Sequence, residues 1–458
     1  MKKITYFISA CLVLALLSSC EGFLNREPIS TLSSNLFWKT SSDVESARAA
    51  MYSSLATTMS QKFIDWGEVR GGGFDGYASN PAPMVELMSH DIPDNSGSLV
   101  WTDLYKTINT ANLIIKHVPE IPGVSAAPTI GEAYLMRAIC YFYAVRVWGD
   151  VPYFGEAVES YDSETCLRER MDKNLVLANI IDDIETAQGL LPVPSSSVSR
   201  IHLNLAAAYA AEMDVYAWKH EYSKVIEIFE NKVLKLPSAA FAFKDFKATE
   251  VSDEWITEWR KIVWDDFSDK EVIFAIYYDQ LTDGTQNKFR NHFGYSGEWL
   301  IATEETLAMF EEGDIRKEGT FHIGDTYSYI EKFRALGINP NEGYSDQDLI
   351  MYRYSYLMLL YAEALANSNR VPDAIAQVNK IRARAGIPAL DKNISEKDAK
   401  LAILKECRLE MFGEGKYWFD VVRTGHNNDI AGCPDSRVLF PIFIDHILQN
   451  PKLVQNQY

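Results

Sequence analysis

The sequence has 458 residues, 47% of them hydrophobic, with 63 acidic against 44 basic side chains and a formal net charge of −19. Its apolar content is that of a globular chain and not of a disordered one. The acid excess, offset by no basic cluster, excludes a nucleic-acid-binding role, because such a surface repels phosphate backbones.

At the N-terminus, Lys2 and Lys3 precede an apolar run from Ile4 to Leu17. That run is short for a membrane-spanning helix and right for a secretory signal. Leu17-Ser18-Ser19-Cys20 is similar to the lipobox of bacterial lipoproteins. The expectation is that residues 1–19 are removed, that Cys20 is lipidated, and that acyl chains hold the protein to a membrane it does not cross. Loss of Lys2 and Lys3 would make the remainder still more acidic.

Helical periodicity dominates the rest of the chain. Residues 43–59, 99–118 and 131–148 show apolar side chains at three- and four-residue spacing. The third stretch is apolar almost all round, with Glu132, Arg137 and Arg146 its charged members, which predicts a helix at the centre of a packed array. Further helices are expected at about 171–191, 203–219, 222–234, 348–367, 371–385 and 396–412. Segments 203–234 and 352–386 each read as a long helix, a break and a second amphipathic helix, with small residues where a partner must approach. That form is similar to tetratricopeptide-type hairpins, which stack to bury a continuous core. The expected fold is mainly α: a single large helical domain over 20–458, with scaffold at about 30–62, 99–235 and 346–458. Loop-rich regions at about 63–98 and 240–345, the second containing a β-like run at 271–279, are where binding residues are expected.

Of the six cysteines, Cys11 lies in the signal and Cys20 is the expected anchor. Cys140, Cys166, Cys407 and Cys433 form neither a CxxC metal spacing nor a dense disulfide framework. Cys140, inside an apolar helix, reads as a small core residue.

The lipobox followed by FLNREP, then YLMRAICYFYAVRVWGDVPYF (134–154), YRYSYLMLLYAEALAN, DAIAQVNKIRARAGIPAL, KECRLEMFGEGKYWFDVVRTG (405–425) and the tail NPKLVQNQY occur in one order. On these segments the chain resembles the SusD/RagB family of outer-membrane nutrient-binding lipoproteins over nearly its whole length. The resemblance implies a lipid-anchored protein on the outer face of the outer membrane. It also implies a partner, a SusC-like TonB-dependent transporter that imports the captured oligosaccharide or, in some members, peptide. Glu21, directly after the anchor, agrees with surface exposure. Tyr356, Cys407, Tyr417 and Phe443 depart from the family pattern. The first three remove charge, which predicts that an ion-pair cluster has given way to packed side chains.

Sugar capture needs flat aromatic faces for the apolar side of the ring and polar groups for its hydroxyls. In the first loop region the candidates are Trp66, Arg70, Asp75 and Tyr77, around Gly71-Gly72-Gly73, where the backbone could approach a ligand. In the second they are Asn287, Arg290, His292, Tyr295 and Trp299. The resemblance carries over the two regions; the individual residues are expectations from chemistry. Trp101, Trp148, Trp218 and Trp418 lie in helical patterns and are expected in the core.

Patterns for chemistry are weak. GGGFDG lacks the Lys-Ser/Thr of a phosphate loop, and DIPDNSG (91–97) has calcium-loop residue types at the wrong spacing. Asp265, Asp266 and Asp269, with Glu298, Glu304 and Glu305 further on, read as solvated acids and not as a catalytic pair. Asp314 and Arg316 read as a structural pair holding a turn. No cofactor, metal or catalytic function is expected. The rival readings are a peptide-binding import lipoprotein, a helical-repeat envelope scaffold and a surface glycoside hydrolase.

Overall fold

The computed structural model describes residues 37–458 except 77–79, 124–125, 161–162, 196, 198, 265–268, 280–285, 287, 294–298, 325–327 and 334–346. The signal, the lipobox and Cys20 therefore lie outside the described residues. So do Tyr77, Asn287 and Tyr295; Arg290 lies in a short helix, but its side chain is not described.

Ten helices form the scaffold: α1 (Ser41–Gly67), α2 (Thr102–His117), α3 (Ala127–Trp148), α4 (Lys173–Leu190), α5 (Leu205–Trp218), α6 (Tyr222–Asn231), α7 (Tyr354–Ala366), α8 (Val371–Ala385), α9 (Glu396–Met411) and α10 (Tyr417–Arg423). Each packs on its chain neighbour from α1 through α8, and α9 packs on α7, α8 and α10. The two expected hairpins are α5–α6 and α7–α8, and the other helices continue the stack. Ala206, Ala207, Ala208 and Ala210 on α5 and Ala362 and Ala364 on α7 are completely buried, which allows backbones to come close. One core runs from Val44 to Leu453, with a satellite cluster around Trp259.

Local chemistry sets the ends of α1. Thr40 caps it, its hydroxyl accepting from Asp43 N at 3.3 Å while Asp43 Oδ2 accepts from Thr40 N at 2.8 Å. The helix runs eight residues past the expected 59, because Phe63, Ile64 and Trp66 continue its buried face. The first loop region therefore begins later than expected. α3 is buried nearly all round, as its composition predicts, and Arg137 pairs with Asp183 at 2.6 Å inside the array.

The expected helix at 348–367 divides. Residues Leu349–Arg353 form strand β8, antiparallel to β4 (Val272–Ile276), and the helix begins only at Tyr354. All ten residues of the pair are buried, so neither strand shows the alternation that marks a half-exposed strand. The remaining strands form short antiparallel pairs: β1 (Phe74–Asp75) with β5 (Ile301–Ala302), β2 (Val151–Pro152) with β3 (Arg170–Met171), and β6 (Phe321–Ile323) with β7 (Ser328–Ile330). The loop-rich regions also hold helices Ala82–Ser89, Asp253–Trp264 and Ile315–Thr320. Trp255, Trp259, Ile262 and Val263 carry the helical spacing of the second, which the reading of that region as loops and strands passes over.

A buried ionic layer fastens the second loop-rich region to the C-terminal helices. Glu271, Asp314, Glu406, Glu410 and Glu414 meet Arg316, Lys332, Arg353, Arg382 and Arg384, each at most 3% exposed. Arg353 reaches Glu271 at 2.8 Å, Glu410 at 2.7 Å and Glu414 at 2.8 Å. Asp314 caps the Ile315–Thr320 helix and pairs with Arg316, which also bonds Glu406 at 2.6 Å. The Asp314–Arg316 pair is thus structural, and it belongs to a larger network. Ion pairs also persist around the departures from the family pattern, contrary to the expectation that packing replaces them. Tyr356 donates to Asp420 at 3.0 Å, and Asp420 pairs with Arg423, which pairs in turn with Glu363. Cys407 and Tyr417 are buried within electrostatic reach of the same Asp420.

Candidate functional site

The two loop-rich regions meet at the β1–β5 pair, where Phe74 lies opposite Ala302 and Asp75 opposite Ile301. Side-chain and main-chain bonds extend the junction on both sides. Asn80 Nδ2 donates to Trp299 O at 2.7 Å, and Gly73 O accepts from Thr303 N at 3.2 Å and Thr306 Oγ1 at 3.1 Å. Trp299 N donates to Asn291 O at 3.0 Å and Leu300 N to His292 O at 3.1 Å, folding the strand back on the short helix Phe289–Phe293.

Beneath this platform is an aromatic floor. Phe74 lies 5.1 Å from Phe412 and 6.3 Å from Phe293, and Phe293 stacks on Phe333 at 5.7 Å. The floor is tied to α1 by Lys288 N, which donates to Ser60 O at 2.7 Å, and by His292, whose Nε2 lies 3.0 Å from Asp65 Oδ1 with both side chains fully buried. Above the floor Asp75 and Asn291 are exposed, and Trp299 and Asn80 are half-buried. Asn80 is committed to the junction, its Nδ2 on Trp299 O and its Oδ1 buried, so the groups offered to a ligand are the partly exposed Trp299, suited to the C–H face of a sugar ring, and the exposed Asp75 and Asn291, suited to its hydroxyls.

Three candidates belong to the interior instead. Trp66 is fully buried, stands edge-on to Trp148 at 5.2 Å, and donates its indole N–H to Ser98 O at 2.9 Å. Its position on α1, rather than in a loop, turns it into the core. Arg70 is 1% exposed, stacks on Trp418 at 4.3 Å and donates to the carbonyls of Val438 and Arg437. It fastens the start of the loop to the C-terminal segment and leaves no donor facing solvent at the platform. His292 is the buried partner of Asp65. Two of the three glycines serve internal approach: a Cβ on Gly73 would collide with the Arg408 guanidinium, and one on Gly71 would lie 2.7 Å from Tyr417 Cδ1. Trp101, Trp148 and Trp418 are buried as expected, while Trp218 is partly exposed. Asp91 of the DIPDNSG segment pairs with Arg437 at 3.1 Å.

Two family models match the chain: one described as the SusD family over residues 321–429, the other as starch-binding, associating with outer membrane, over residues 30–216. A SusD-like protein, P38, of Formosa agariphila is 30% identical to it over 99% of each chain. The chain belongs to the SusD family. Solved structures share the fold. A SusD homolog from Bacteroides thetaiotaomicron superposes with a TM-score of 0.77 at 22% identity, covering 92% of this chain and 99% of that one. Surface glycan-binding protein A of the same species, solved in complex with laminarihexaose, has a TM-score of 0.74 at 17% identity, covering 92% of this chain and all of that one.

On this SusD scaffold, the described residues at the junction of the loop regions are Asp75, Asn80, Asn291 and Trp299. Asp75 and Trp299 were legible as polar and aromatic loop residues. Asn80 and Asn291 were passed over, because a lone asparagine in a loop is equally suited to a turn; the bond that makes Asn80 a neighbour of Trp299 is long-range, and that of Asn291 forms only when the strand folds back on its short helix.

Proposed function

We propose that this SusD-family chain captures an oligosaccharide on the β1–β5 platform and delivers it, without chemistry of its own, to a SusC-like TonB-dependent transporter. Lipid on Cys20 would hold it to the outer face of the outer membrane. The observation that carries the reading is the junction itself: two regions more than two hundred residues apart in sequence are joined by strand pairing, with exposed Asp75 opposite Ile301 and half-buried Trp299 two residues before Ile301. The starch-binding description of the N-terminal match and the laminarihexaose bound by a neighbour of the same fold support a glycan as cargo. Tyr77, Asn287, Arg290 and Tyr295, which flank the platform in sequence, remain proposed ligand contacts.

The test uses the mature chain with Cys20→Ala on a panel of glycans and a peptide mixture, by calorimetry. Glycan binding that weakens at least about tenfold in Trp299→Ala, a loss of about 1.4 kcal/mol, is the expected result. Binding of peptide alone would replace glycan by peptide as the cargo. Binding of neither would leave the scaffold role.

A further inference from the structure

We infer that Tyr277 is a second aromatic contact for the glycan, set apart from Trp299, and that the ligand is a chain of several sugar units reaching both. The inference rests on the proposed function, that the platform binds a glycan.

Tyr277 follows β4 directly. Side chains of an extended chain alternate between two sides, and just past the strand that alternation separates two tyrosines. Tyr278 is buried: its hydroxyl donates to Ala56 O of α1 at 2.7 Å, and its N–H donates to Asp348 Oδ1 at 2.9 Å. Tyr277 is 39% exposed, the most of any Phe, Tyr or Trp side chain among those described. Its hydroxyl donates to Asp279 Oδ2 at 2.9 Å, which holds the ring on the mount that Tyr278 fixes. An uncovered aromatic face beside a carboxylate offers a sugar ring a flat surface for its C–H side and an acceptor for its hydroxyls.

Helix α1 relates this ring to the platform. Ala56, Ser60 and Asp65 hold Tyr278, Lys288 and His292 in that order. Trp299 lies beside the last of these, its ring 5.3 Å from that of His292. At about 1.5 Å per residue, Ala56 and Asp65 are about 14 Å apart along the helix. A mono- or disaccharide on Trp299 does not cover that span, whereas a longer chain does. Two weak ring contacts joined by one chain reinforce each other, because the second forms at the high effective concentration that the first creates. Affinity therefore climbs with chain length until both rings are reached and levels beyond that length.

The experiment titrates the Cys20→Ala chain with ladders of laminari-, malto-, xylo- and manno-oligosaccharides, from the disaccharides up to the polymers. In a ladder that binds, affinity should climb with length and then level. Tyr277→Ala removes an exposed ring and should leave the melting temperature unchanged. It is expected to weaken the long members at least about fivefold and the shortest binding member less than about twofold, which flattens the climb. Trp299→Ala should weaken short and long members alike, and Tyr277→Phe, which keeps the ring, should retain most of the climb. An unchanged ladder in Tyr277→Ala, or an equal loss at every length, would overturn the inference and leave the capture role standing. Binding by no ladder would overturn the inference too, and the wider panel of glycans then decides the capture role by itself.

Discussion

Trp66 has its whole ring in the core and its indole N–H bonded to Ser98 O, whereas Trp299 stands edge-on to His292 and keeps part of its ring uncovered. The two substitutions therefore have opposite expected signatures. Trp66→Ala removes a fully buried ring and should destabilise the fold by about 3–5 kcal/mol, with unchanged affinity in whatever fraction stays folded. Trp299→Ala should leave the melting temperature nearly where it is and weaken ligand binding. Thermal melts and calorimetry on both variants check the pair; loss of binding in Trp66→Ala with no loss of stability would contradict it. Glu68 offers a second test at this scale. Burial pushes its carboxyl up to about 7 despite the nearby Arg408 and the N–H groups of Gly413 and Lys416. A carboxyl held above its unfolded value favours the fold at pH below about 4.5, and that contribution is lost as pH rises through about 7. Glu68→Gln loses an acceptor at every pH, so the readout is the slope. Between pH 5 and pH 8 the wild type should lose stability relative to the variant, by on the order of 1–3 kcal/mol in denaturant titrations. Parallel curves for the two proteins would show that Glu68 stays ionised in the fold.

At the scale of elements, the glycine turn after α1 joins scaffold to platform. Gly73 has φ +96°, and its missing Cβ leaves room for the Arg408 guanidinium and the Thr306 hydroxyl. Gly73→Ala meets both a disfavoured backbone conformation and a collision, so it should lower the melting temperature and weaken glycan binding together. Retained affinity at reduced stability would mean that β1 keeps its register without the glycine. The same region marks the limit of what local sequence conveys. Long helices such as α3 and α9 were legible because their apolar spacing runs over several turns and ends at Gly149 or begins at the Ser395 cap. β8 was not, because a run buried on both faces, leading directly into a buried helix, has no period of its own. β1 and β5 are two residues each, and nothing local to either names its partner. Trp66 and Arg70 were misread for a related reason. Their residue types suit a binding loop, and only the continuation of α1 and the carbonyls of a segment some 370 residues away turn them inward.

For the molecule as a whole, the ionic layer decides whether the second loop-rich region and the C-terminal helices hold together. Arg353 ends β8, Glu271 precedes β4, Arg384 lies on α8, Glu410 on α9 and Glu414 in the turn before α10, so each bond spans distant parts of the chain. Burial alone would raise the carboxyls of Glu410 and Glu414. Arg384, Arg353 and Arg316 hold Glu410 well below the usual range, and Arg353 and Lys332 hold Glu414 below it. Carboxyls depressed in this way contribute stability that is present above their unfolded value near 4.5 and lost as pH falls through the folded value. Arg353→Met keeps much of the side-chain volume and removes the cation, leaving Glu271, Glu410 and Glu414 to share Arg384, Arg316 and Lys332. At pH 7 the variant should be less stable by about 3–5 kcal/mol, the usual consequence of removing one partner from a buried pair. That difference should shrink as pH falls below 4.5, because the surplus carboxylates of the variant take up protons while those of the wild type stay ionised. Denaturant titrations of both proteins at pH 7 and at successively lower pH measure the gap. A gap that stays constant with pH would assign the whole effect to lost packing around β8, and the layer would then stabilise the molecule by shape and not by charge.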